Sequence, residues 1–251
     1  MESGYGNIAH GAWHLRQLLQ SAQEQAFPGC KIGQIPVWTS WPGGRGAFSS
    51  SIAFLCAASE KISPAEAADK LSAFLPERDA LFSSCKRCAG YLNFYPSLRW
   101  YSACAASLLQ RASFSAWRLT EEDFGFFAFS SPSVQELQRA FVRLCSVLRG
   151  CRAEGMLDLP CPPSALALLK DPQELALLFS LARLADAKGQ SILPALLETA
   201  RAFHRLYDSR RVWSPDSRLT TARAALYLAC TAGMQKALQQ TDLLPKEILK
   251  I

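Results

Sequence analysis

From Ile8 to Ala26 the apolar residues Ala9, Ala12, Trp13, Leu15, Leu18 and Leu19 recur every three or four positions. That period lines one face of an α-helix, so the chain is expected to open on an amphipathic helix. The pattern then changes: "KIGQIPVWTSWPGG" mixes β-branched and aromatic residues with proline and glycine, as a short strand running into a turn does. A glycine-rich turn, "GGRGAFSSSIAF", leads into "SSIAFLCAASEKI", which reads as a helix. In "SPAEAADKLSAFL", Ser63 is the expected N-cap, Pro64 takes the first helical position and Glu66 closes a capping box. A hairpin strand centred on "GYLNFY" and a helix after "PSLRW" follow. Residues 1–110 therefore predict a small α+β domain, an antiparallel sheet with helices.

Residues 111–131, "RASFSAWRLTEEDFGFFAFSS", show no period and are dense in Phe and Ser, which reads as a linker with apolar anchors. Helical periods return in residues 132–251. Ser133 and Glu136 frame a capping box ahead of a stripe of Val134, Leu137, Phe141, Leu144 and Leu148. Asp171, Pro172 and Glu174 repeat the device ahead of "LALLFSLARLADA". "SILPALLETARAFHRLYDS", with Pro194 in its first turn, and "DSRLTTARAALYLACTAGMQKALQQ" complete a bundle of four or five helices with short joins.

Composition adds three constraints. A chain of 251 residues that is 49% hydrophobic and 19% charged is globular, large enough for one or two cores. Its formal charge of +6 favours anionic partners without naming one. No apolar run reaches the roughly 18–20 residues of a spanning helix, and the opening residues lack a signal-peptide apolar region, so a soluble cytoplasmic protein with no membrane partner is expected. Nine cysteines, an odd number scattered along the chain, fit a reducing compartment rather than a disulfide framework.

Candidate chemistry is sparse. The loop "GGRGAFSSS" precedes a helix, where backbone N–H groups hold anions, but it lacks the lysine of a G-x-x-x-x-G-K-[ST] loop, so no nucleotide is expected; a plain turn remains the other reading. Cys85 and Cys88 form a C-x-x-C with no second ligand pair, and "HGAWH" at His10 to His14 lacks the glutamate of a metalloprotease helix, so no metal is expected. His204 has no nucleophile signature nearby. No catalytic constellation and no cofactor are expected. The most distinctive feature is residues 201–223: six arginines (Arg201, Arg205, Arg210, Arg211, Arg218, Arg223) against Asp208 and Asp216, interleaved with Phe203, Tyr207 and Trp213. Arginines pair with phosphates and aromatic rings stack on unpaired bases, so the composition suits RNA; a solvated helix face with core aromatics fits it equally.

These segments resemble a family. "AFVRLCSVLR", "LPALLETARAFHRLYDSRRV", "TARAALYLACTAGMQKAL" and the terminal "LLPKEIL" are similar, in that order, to the helices of the DALR anticodon-binding domain of arginyl-tRNA synthetases. "GAFSSSIAFLCAASEKISPAEAADKL" and "AGYLNF" are similar to the additional N-terminal domain of the same enzymes, which meets the corner of tRNA at the D-loop. In those synthetases a Rossmann-type catalytic domain with HIGH-like and KMSKS-like signatures separates the two modules. Here neither signature occurs, and only residues 111–131 intervene.

The resemblance implies a non-catalytic tRNA-binding protein whose partner is tRNA, arginine tRNA included. It assigns the corner contact to Phe48, matching the family's base-stacking aromatic, and to Ser51, which shortens the family's asparagine; Ala47 replaces an aspartate. Arg45 lies in the same loop and joins that group. For the anticodon arm it assigns Arg143, where the histidine of the family's "HAR" has become Phe141, together with Tyr207 and Leu249. Arg210 and Arg211 are added on charge alone as phosphate contacts. The alternative is a protein-interaction module that pairs with a tRNA-acting enzyme or the full synthetase.

Overall fold

The structure, a computed structural model, describes residues 8–39, 47–77, 79–111, 132–156, 161 and 163–241. The chain divides into two compact units, Met1–Trp100 and Tyr101–Ile251. The expected linker, apart from Arg111, lies outside the described residues, as do Arg45 and Leu249.

The first unit is α+β. Helix α1 (Ile8–Ala26) is followed by strands β1 (Trp38–Thr39) and β2 (Phe48–Ser50), helices α2 (Ile52–Glu60) and α3 (Pro64–Ala73), and the hairpin β3 (Phe82–Cys88) and β4 (Tyr91–Pro96). The strands form one antiparallel sheet in the order β1-β2-β4-β3. The hairpin turns through Ala89 and Gly90, both at positive φ (48° and 85°), the backbone a two-residue primed turn requires. The core gathers Leu15 and Leu19 of α1, Phe48 of β2, Leu71 of α3, Leu92 and Phe94 of β4, and Trp100.

Two expectations change here. Phe48–Ser50, read as the approach to a helix, is an inner strand: Phe48 pairs with Phe94, and the helix starts only at Ile52. Ser63 caps α3 as expected, accepting from Glu66 N–H at 3.1 Å, but Glu66 turns its carboxylate to Lys70, at 3.1 Å. His14 binds Asp79 Oδ1 at 2.9 Å, tying α1 to the segment before β3. Burial raises the Asp79 pKa, but the bond from Leu81 N–H and the contact with His14 outweigh it and hold the carboxyl below its usual range. Cys85 and Cys88 lie three residues apart on β3, where alternation sends them to opposite faces, so the two do not converge on one site. Burial also pushes the Cys85 thiol up to about 11.

The second unit is helical. After α4 (Leu98–Arg111) come α5 (Pro132–Ala153), the short α6 (Pro163–Leu166), α7 (Pro172–Asp186), α8 (Ile192–Ser209) and α9 (Ser217–Leu238). Helix α5 begins at Pro132, so Ser133 lies inside its first turn rather than capping it. Its expected stripe is largely borne out: Leu137, Phe141, Leu144 and Leu148 are buried, Val134 only in part. Asp171 caps α7 with the full reciprocal box to Glu174. Ala176–Ala182 of α7 and Ala224–Thr231 of α9 are buried on every side, which places these helices in the middle of the unit. Phe203 of α8 meets Tyr227 of α9 edge to face at 5.3 Å in that core. Among the described residues no helix is long and apolar enough to cross a membrane.

Candidate nucleic-acid interface

Helices α5 and α8 present facing rows of polar residues, because Glu136 and Arg143 lie two turns apart on one, and Arg201, His204 and Asp208 recur at helical spacing on the other. Arg201 Nε reaches both Glu136 oxygens at 3.2 Å. Arg143 Nη1 meets His204 Nδ1 at 3.2 Å and Asp208 Oδ1 at 3.5 Å. Arginine only donates, so Nδ1 is the acceptor in this contact; the proton of the neutral ring is then on Nε2, which faces the Glu136 carbonyl at 3.4 Å.

The same guanidinium stacks over the ring of Tyr207 at 5.0 Å. Phe203, itself buried, backs that ring at 5.8 Å, and Tyr207 remains 39% exposed. A tyrosine held by a cation and a core aromatic, with ring surface left in water, is pre-oriented to stack on a base. Arg143 and Tyr207, assigned from separate segments of sequence, thus lie in contact.

The loop after α8 is fixed from three sides. Arg210 N–H closes the helix on Leu206 O at 2.8 Å, and its Nε donates to Asp171 Oδ2 at 2.7 Å. Arg223 Nη1 donates to the carbonyl of Arg211 at 2.9 Å, while its Nε binds the buried Glu174 at 2.7 Å. Ser214 N–H donates to Thr220 Oγ1 at 2.9 Å. Val212 is buried between these ties, leaving Trp213 and the Arg211 side chain exposed.

Of the six arginines in residues 201–223, four are matched to carboxylates: Arg201 to Glu136, Arg210 to Asp171, Arg218 to Asp216 and Arg223 to Glu174. Arg205 and Arg211 are exposed and pair with no carboxylate among the described residues. The charge bet on Arg210 therefore moves. Its guanidinium holds the N-cap of α7, and Arg205, counted in the sequence but not selected, joins Arg211 as an available cation. His204 and Trp213 were also not selected; the signal for both was their place among the arginines.

The corner contact assigned to Phe48 is corrected. Its ring is 0% exposed, edge to face with Phe82 at 5.6 Å and with Trp100 at 6.0 Å, so it has no open surface for a base. Ser51 stands at the N-terminus of α2, half-buried, and its side chain makes no capping bond.

Residues 137–245, which include Arg143, His204, Tyr207 and the loop after α8, match the family model described as the DALR anticodon binding domain. Among curated proteins, the chain is similar to arginine–tRNA ligases. It is 33% identical over 113 residues to that of Desulfotalea psychrophila and 32% identical over 113 residues to that of Moorella thermoacetica. With that of Symbiobacterium thermophilum it shares 38% identity over 104 residues. The matches take in 42%, 42% and 38% of this chain, but only 20%, 20% and 18% of the relatives, so the chain spans about a fifth of their length.

Proposed function

We propose that the protein binds tRNA without aminoacylating it, holding the anticodon arm on the α5–α8 face. The observation that carries this reading is the Arg143–Tyr207 pair, an exposed ring pre-oriented by a guanidinium inside the region matched by the anticodon-binding family. Tyr207 offers the stacking surface, oriented by Arg143, and Arg205 and Arg211 supply positive charge for the phosphates around it. The non-catalytic part of the reading rests on the sequence: the short interval between the two modules holds neither signature of the synthetase catalytic domain. Arginine tRNA is the first candidate, given the names of the relatives.

The test compares bulk tRNA with random RNA of equal length across a salt series. Tighter binding to tRNA, falling linearly in log–log form with salt, is the expected result. Equal affinity for the two RNAs, or no salt dependence, would remove the tRNA reading and leave the protein-interaction module in its place.

A further inference from the structure

Arg143 is held on the α5–α8 face by two partners of unequal weight. Its ion pair with Asp208, at 3.5 Å, joins side chains left 43% and 66% exposed, where water screens most of the attraction. The shorter contact, at 3.2 Å, is the bond that Nη1 donates to Nδ1 of the half-buried His204. That bond exists only while the imidazole is neutral, because both nitrogens of an imidazolium carry protons and neither accepts. From its other side the ring is placed by the Glu136 carbonyl, which faces Nε2 at 3.4 Å.

The charged and titratable groups of this face are Glu136 and Arg143 on α5 and Arg201, Arg205, Tyr207 and Asp208 on α8. On its other sides α8 turns Glu198 to Arg183 of α7, at 2.6 Å, and Phe203 to Tyr227 of α9. The Glu136 carboxylate is taken by Arg201 at 3.2 Å. Asp208, one helical turn from His204, is the other carboxylate of the face. A proton on His204 would remove the acceptor that holds Arg143 and set two cations against each other at that contact.

We propose that His204 is a positioning residue whose neutral ring holds Arg143 over Tyr207, and that a proton on the ring releases Arg143, so that pH controls RNA binding at this face. The inference rests on the tRNA-binding reading and adds a regulation to it. Released from Nδ1, the guanidinium follows Asp208 and no longer stands 5.0 Å over the Tyr207 ring. The sign of the effect is diagnostic. An added positive charge alone strengthens attraction to phosphates, whereas loss of a pre-oriented ring weakens stacking. Imidazoles take up their proton between about pH 5 and 8, so the release falls in an accessible range.

The experiment titrates the full chain with a labelled tRNA transcript at about pH 8 and about pH 5.5, at fixed salt, with circular dichroism at both. The wild-type chain should lose about fivefold in affinity on acidification, the worth of one ordinary hydrogen bond. His204→Asn, whose Oδ1 accepts the same bond without titrating, should restore binding at the higher pH and keep it in acid. His204→Phe, with no acceptor, should bind weakly at both. A flat or rising wild-type profile, an equal fall in His204→Asn, or wild-type affinity in a folded His204→Phe overturns this inference; a preference for tRNA over random RNA at the higher pH leaves the α5–α8 reading standing. A wild-type chain that shows no such preference overturns both.

Discussion

Glu174 and Arg223 form an ion pair at 2.7 Å in which the carboxylate is only 1% exposed. The other Glu174 oxygen accepts the N–H groups of Lys170 and Asp171 at 2.9 and 3.0 Å, and Arg223 also holds the Arg211 carbonyl. One carboxylate thereby joins the start of α7, the loop after α8 and helix α9. Removing its charge leaves a largely buried guanidinium uncompensated, so Glu174→Gln should cost about 3 kcal/mol in denaturant unfolding. The double variant Glu174→Gln with Arg223→Met should recover part of that loss; strictly additive losses would show that the two residues act separately.

Acid should loosen the same corner. Burial raises the Asp171 pKa, but the hydrogen bond from Gln173 N–H and the Arg210 guanidinium outweigh it and hold the carboxyl below its usual range. A depressed carboxylate contributes its full stability above the unfolded-chain value, about 3.9, and loses it as pH falls through the lower folded value. Stability should therefore decline below about pH 4 with an Asp171 contribution. Asp171→Asn keeps a good cap but not the charge, so thermal melts across pH should show it less stable at neutral pH and less sensitive to acid.

Phe48→Ala should act on stability before it acts on RNA. Emptying a fully buried ring site among Phe82 and Trp100 costs about 3–5 kcal/mol, read as an early loss of the first unit's fold. Phe48→Leu, which refills most of the volume, should bind RNA as the wild type does once folded. A folded Phe48→Leu protein with sharply weakened binding would return the ring to the interface.

The hairpin turn gives a separate check on the first unit. A Cβ on Gly90 would lie 2.6 Å from Pro64 Cβ at a φ of +85°, so Gly90→Ala should destabilise by about 1–3 kcal/mol. Ala89, at φ 48°, occupies a position that suits asparagine or glycine, and Ala89→Asn should raise the melting temperature.

Among the arginines ion pairing marks two groups with different expected effects. Arg205→Gln and Arg211→Gln should each lower the log–log salt slope for tRNA by about one and leave the melting temperature near wild type. Arg210→Gln should do the reverse, because its partner is Asp171. Equal slopes in all three variants would return residues 201–223 to a merely solvated surface.

Periodicity was a good guide where one side of an element faces water. The stripe on α5 and the Asp171 box were legible because each follows from a few residues at fixed spacing. The start of β2 was not legible. Phe48–Ser50 is three residues long, too short for alternation to register, and becomes a strand only by pairing with β1 and β4. Ser133 and Glu66 show the limit of local motifs: the first falls inside its helix, and the second finds Lys70 a better partner than the cap.

The sequence by itself determined the α+β order followed by a helical bundle, the likeness of the helical part to an anticodon-binding domain, and the excess of arginine in residues 201–223. Those properties reside in composition, spacing and order along the chain. Only the tertiary structure decided which cations and rings are available. Ion pairing joins residues as distant in sequence as Asp171 and Arg210, and burial depends on what packs over a ring. The same argument that placed Phe48 in the core left Trp38, Tyr91 and Tyr207 facing water, because the side of a strand or helix that meets its neighbours is settled by register and packing.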